Sequence, residues 1–247
     1  LTESLFVVSV GFFAGGILKG ATGVGSPIIA VPILAIYFDA RFAIIIFSIP
    51  NIIPNIWQAW SYRKTALNNA FLLRFAGAGA LGAIFGTSIL ALFSSDRLTL
   101  AVAVAVALYV IFRFARPKWK LSITTAQKFA MPVGFLGGAM QTAAGLSAPI
   151  SVTFLNSLNL SRDTFAPSIS FFFIGVGITQ IPTLLAYGML TSEMAILSLL
   201  ALFPLIIGMP LGSALAKKLS QKAFDRLILI ILSILAAKLF IQSFQVF

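Results

Sequence analysis

Residues 15–28, GGILKGATGVGSPI, place five glycines, a proline, two hydroxyl residues and a lysine inside a strongly apolar region. A continuous helix through them is unfavourable. An interior glycine costs about 1 kcal/mol relative to alanine, and an interior proline about 3. In lipid, broken backbone is tolerated only where protein or a watery cavity satisfies its amides. The stretch therefore predicts a helix break that lines a cavity.

The same pattern occurs a second time. Displacing the chain by 122 residues aligns 13–28 with 135–150, and seven of sixteen positions are identical: Phe13/Phe135, Gly15/Gly137, Gly16/Gly138, Ala21/Ala143, Gly23/Gly145, Pro27/Pro149 and Ile28/Ile150. The register continues through Ser48/Ser170, Ile56/Ile178 and Gln58/Gln180, and after a small slip Gly82-x-x-x-Gly86 meets Gly208-x-x-x-Gly212. Unrelated apolar segments would match leucines and valines, not glycines and a proline at fixed spacing. Duplicated halves broken at matching places point to the binding site of a secondary transporter.

Composition agrees. The 247 residues are 60% hydrophobic and 9% charged, against about 25% charged residues in soluble domains. Apolar runs of around twenty residues indicate helices, not a transmembrane β-barrel. The net charge of +11 is gathered in short loops, which reads as membrane orientation and not as nucleic-acid binding. The chain has neither cysteine nor histidine. That excludes disulfides, thiol chemistry and the usual zinc or haem ligands, and it disfavours a membrane hydrolase. No cofactor and no enzymatic activity are expected. Residues 4–18 resemble a signal-peptide core, but no basic residue precedes them and Lys19 follows, so they are kept as structure.

Ten apolar segments can be drawn, at roughly 3–18, 26–38, 42–61, 68–93, 97–115, 125–142, 148–158, 164–187, 192–216 and 225–245. The second of each set of five is short: residues 27–38 reach only about 18 Å, against a hydrocarbon core of about 30 Å. The first two segments of each half thus form either a re-entrant hairpin or two spans, with tips at 19–26 and 141–148. The predicted fold is an all-α polytopic membrane protein of two inverted repeats with broken short helices near the midplane. Residues 1–115 and 125–247 form the repeats, and 116–124 a basic linker. The loops carrying Arg63, Lys64, Arg74, Arg113, Arg116, Lys118, Lys120, Lys128, Arg162, Lys217, Lys218, Lys222 and Arg226 are expected in the cytoplasm. Arg41, Arg97, Lys238 and both termini then fall outside. Trp57, Trp60, Tyr62 and Trp119 suit the inner interface.

Lys19 is the basic residue without an obvious loop. A central charge costs about 2.5–3.5 kcal/mol on insertion scales, so Lys19 either binds an anion at the hairpin tip or snorkels from a helix end to water. Pro27 and Pro149 suit a helix's first turn, with Ser26 and Ser147 as caps. Two helix starts would then aim amides at an anion. Asn51, Asn55 and Gln58 share one helical face. Their counterparts offer Ser168, Ser170, Thr179 and Gln180, which either line a path or bond between helices. All six acids lie near segment ends, so a carboxylate proton relay is not expected.

The motifs GGILKGATGVGSPIIAVPIL and PNIIPNIWQAWSYRK, with GGAMQTAAGLSAPISVTFL and GVGITQIPTLLAYGML, resemble the TauE/SafE family, also called the toluene sulfonate uptake permease family. The resemblance implies a bacterial or archaeal inner-membrane transporter of sulfite or organosulfonates, often exporting them. It supports Gly23, Gly25, Ser26, Pro27, Asn55 and Gln58, with Gly145, Ser147, Pro149 and Gln180, as site-region positions. The full expected site adds Lys19, Asn51, Gln141 and Thr179, converging on one substrate between the two tips. A passive anion channel is the alternative, and a membrane scaffold a third class. Substrate and lipid are the expected partners; no nucleic acid is.

Overall fold

Apolar runs preceded by a side chain that can accept from the first free amides become helices here. Asp39, Asn68, Ser122 and Ser161 accept from Phe42, Phe71, Thr125 and Thr164, each three residues on. Asp39 and Ser161 are themselves 122 positions apart. The computed structural model describes residues 2–115, 120–218 and 221–244, so Arg116, Lys118 and Trp119 lie outside the described residues. In order, the helices are α1 (Thr2–Thr22), α2 (Ser26–Tyr37), α3 (Ala40–Ser61), α4 (Asn69–Leu92), α5 (Ser95–Ala115), α6 (Ile123–Ala144), α7 (Ser151–Ser157), α8 (Arg162–Ala186), α9 (Ser192–Lys218) and α10 (Gln221–Phe244). The described residues contain no strand.

Seven of these helices are long and apolar enough to cross a bilayer: α1, α3, α4, α5, α8, α9 and α10. The short second segments expected in each half are α2, with 12 residues, and α7, with 7. Large apolar side chains such as Leu73, Leu92, Phe203 and Ile234 face outward, as suits a chain whose outer solvent is hydrocarbon. Trp57 and Trp60 are exposed near the end of α3, and the Arg63 guanidinium covers the Trp60 ring.

Two helix pairs, α1 with α9 and α4 with α6, approach backbone to backbone. Gly208 and Gly212 of α9 lie so close to the carbonyls of Phe13 and Ile17 of α1 that a methyl would collide with both. Gly82 and Gly86 of α4 sit equally close to the carbonyls of Phe135 and Ala139 of α6. Phe135 and Ala139 are Phe13 and Ile17 displaced by 122. Thus α1 packs on α9 and α6 on α4, through carbonyls related by the 122-residue displacement. Close backbone approach of this kind is what small residues provide in a membrane, where lipid is as apolar as leucine. Between these pairs, α3 and α8 cross antiparallel: Asn55 meets Ser170, whereas Ile52, earlier in α3, meets Gly177, later in α8. Stacked Phe71, Phe75, Phe154 and Phe172 fill the core between α4, α7 and α8.

Candidate functional site

Both predicted breaks form. Gly23 has φ +83° just after α1, and its repeat partner Gly145 has φ +72° just after α6. A residue with a Cβ is strained there, so glycine sets where each helix stops. Gly25, at φ +99°, then occupies the position before α2, with Pro27 in the first turn. The second hairpin departs from this plan. Pro149 lies in a turn ahead of α7, which starts only at Ser151. The serines are not side-chain caps either. Gly25 and Ile150 take the cap positions, neither making a side-chain bond. Ser26 is already helical, and the Ser147 hydroxyl instead accepts from Ser151 Oγ at 2.8 Å.

Lys19 and Gln141 remain helical, one turn before the breaks. Lys19 does not snorkel: it is 3% exposed, and its ammonium donates to Asn55 Oδ1 at 2.8 Å. Ser170 Oγ donates to the same oxygen at 3.1 Å. The Asn55 amide nitrogen donates to the Asn51 carbonyl at 2.5 Å. Asn51 itself is 2% exposed, and its Nδ2 has no partner among the described residues. The predicted polar face of α3 is thus turned inward against α1 and α8. Its buried cation has neutral partners only among the described residues. An uncompensated buried charge is costly, and an anion would relieve it.

Gln58 continues this face at 7% exposure, with its amide nitrogen against Gly23, which Ala166 of α8 also approaches. Neither the Gln58 nor the Gln180 amide is hydrogen-bonded within the described residues, and neither is sealed off from accessible space. The two are not neighbours, however. Asn55 meets Ser170, and Gln180 lies ten residues farther along α8, about 15 Å at 1.5 Å per residue. Gln58 lies the other way along the antiparallel α3. One small anion cannot touch both. The tips also pass each other instead of meeting: Gly145 rests against Val31, midway along α2, and Ile44 of α3. The expectation of a single guest between Gln58 and Gln180 fails on this antiparallel crossing.

Other expected site residues serve the framework. Gln141 closes its own tip, donating to the Gly145 carbonyl at 3.1 Å and accepting from the Ser147 amide at 3.0 Å. Thr179 donates to the Ala80 carbonyl at 2.8 Å, tying α8 to α4. Ser168 bonds to Thr164 within α8 and to the Leu67 amide.

A cavity of about 500 Å³ opens on the other side of the first tip. Leu18, Thr22 and Gly25 reach it, with Arg113 of α5, Asn156 of α7 and Arg162 of α8. Arg162 also donates to the Gly20 carbonyl at 3.3 Å, beside Ser213 Oγ at 2.8 Å. The first break was expected to line a cavity, and Thr22, Val24 and Gly25 do so, but the wall that faces them was not read from the sequence. Arg162 was legible only as a loop charge, and Asn156 carries no pattern of its own.

Against protein families, the description that matches is Sulfite exporter TauE/SafE, over residues 7–239. No curated protein matches.

Proposed function

We propose that this chain, which belongs to the sulfite exporter TauE/SafE family, is a secondary transporter that binds a small sulfur oxyanion or organosulfonate at Lys19 and alternates its access to the two sides. It is a multi-pass membrane protein, and its family consists of transporters. In our reading it exports across a bacterial or archaeal inner membrane, with residues 1–115 and 125–247 as inverted repeats and both termini outside. It is not an enzyme.

The observation that carries the reading is the Lys19 ammonium, buried one turn before a helix break with the neutral Asn55 as its hydrogen-bond partner among the described residues, while Asn51 Nδ2, one turn earlier on α3, has none there. Gly23, Gly25, Ser26 and Pro27 form the break one turn beyond that charge, and Gln58 extends its polar face. A charged hydrogen bond is worth about 1.5–3 kcal/mol, so Lys19→Met should weaken apparent sulfite affinity roughly tenfold or more in proteoliposomes. An unchanged affinity overturns the assignment. Saturable countertransport is expected of the wild type, whereas a passive anion channel gives ohmic flux.

A further inference from the structure

The vestibule is larger and greasier than a bare oxyanion requires. At about 500 Å³ it falls in the range of about 300–1,000 Å³ that holds organic ligands. Leu18, Val24, Ile28, Val152, Phe165 and Ile228 supply apolar wall, and Arg162 and Arg113 bring two guanidinium groups to it. Arg162 is exposed, and the structure gives it one bond, to the Gly20 carbonyl in the last turn of α1. Guanidinium presents five donors in a planar fork suited to carboxylate, sulfonate or phosphate. The Lys19 ammonium points away from this space toward Asn55 and does not line it.

We propose that the vestibule is a second binding site, separate from Lys19, that takes an anion with an apolar body of several carbons. The acid group pairs with Arg162, and the hydrocarbon lies against Leu18, Ile28, Val152 and Ile228. One Arg162 donor stays on the Gly20 carbonyl and the others face the acid group, so a ligand loaded here before transport is tied through Arg162 to the first hairpin tip. The inference rests on the transport reading only for the order of events; the site itself stands on the cavity.

The test is displacement of a radiolabelled octanesulfonate from purified full-length protein in phosphatidylcholine nanodiscs by linear alkanesulfonates of one to eight carbons. Each methylene removed from water should tighten binding, roughly fourfold at the usual transfer energy; 1-octanol should not compete. Filling the cavity by Ile228→Trp, or from α9 by Ala216→Phe, should flatten this dependence while methanesulfonate still binds. Arg162→Gln should weaken every member about tenfold. A chain-length dependence that is absent, or that survives both filling variants, overturns the proposal. The same chemistry is offered by an anionic phospholipid. Binding that persists in phosphatidylglycerol nanodiscs supports a soluble ligand, and its loss there overturns the proposal in favour of lipid. Lys19→Met separates the two readings. A retained chain-length dependence with lost sulfite flux supports both; no flux in the wild type with the dependence intact overturns transport alone.

Discussion

The charge at position 19 is expensive wherever it sits in hydrocarbon, and the structure meets that expense with a neutral amide. Asn55 accepts from Lys19 and from Ser170 at one oxygen, so it joins α1, α3 and α8 at a single atom. Removing one partner of a buried charged pair typically costs about 3–5 kcal/mol. Asn55→Leu should therefore lower the thermal midpoint of the purified protein strongly. Lys19→Met in the same chain should recover much of the loss, because the stranded charge is gone. Equal destabilisation in single and double variants would mean that Lys19 does not depend on Asn55. The sequence marked Lys19 as an anomaly but left burial and snorkelling open. That choice depends on a partner 36 positions away, which no local pattern encodes. Gln141 was harder still. Its role as a staple for the 145–147 backbone follows from the path of the turn, and the glutamine alone does not specify that path.

Helices were the legible scale. Apolar runs and glycine breaks placed ten segments with ends within four residues of those observed. Exceptions follow from local bonding. In the second hairpin, Ser147 and Ala148 carbonyls accept from Ser151 and Thr153, and the regular helix is delayed to Ser151. The glycine pairs were readable as packing surfaces, but not which helix each one meets. On α4, Gly86 abuts the Ala139 carbonyl, while Gly77 has open space where a side chain would go. Gly86→Val and Gly212→Val should each force a helix pair apart and sharply reduce folded yield by size-exclusion chromatography. Gly77→Ala should be neutral or stabilising, by up to about 1 kcal/mol from helix propensity. Similar yields for all three variants would show that close approach does not hold these helices together.

At the scale of the molecule, corresponding residues do not share one environment. Asn156 and Arg162 line the vestibule and are exposed, whereas their counterparts under the 122-residue displacement, Leu34 and Ala40, are 1% and 0% exposed. Phe165 reaches the cavity and its counterpart Ala43 is sealed. Residues around Asn156 and Arg162 are therefore open where those 122 positions earlier are packed shut, which is the asymmetry that the proposed alternating carrier would show in one of its two states. Alternation would exchange the environments: the vestibule closes as the packing around Leu34 and Ala43 parts. The chain lacks cysteine, so a single introduced thiol is a unique target for a membrane-impermeant maleimide. Asn156→Cys should react quickly from the vestibule side in proteoliposomes, and Leu34→Cys should be nearly inert. A sulfite gradient that loads the carrier should slow the first and speed the second, because both report one population shift. Labelling at position 34 that stays silent under every gradient while sulfite continues to move would rule out this exchange, since flux would then pass without the sealed end ever opening.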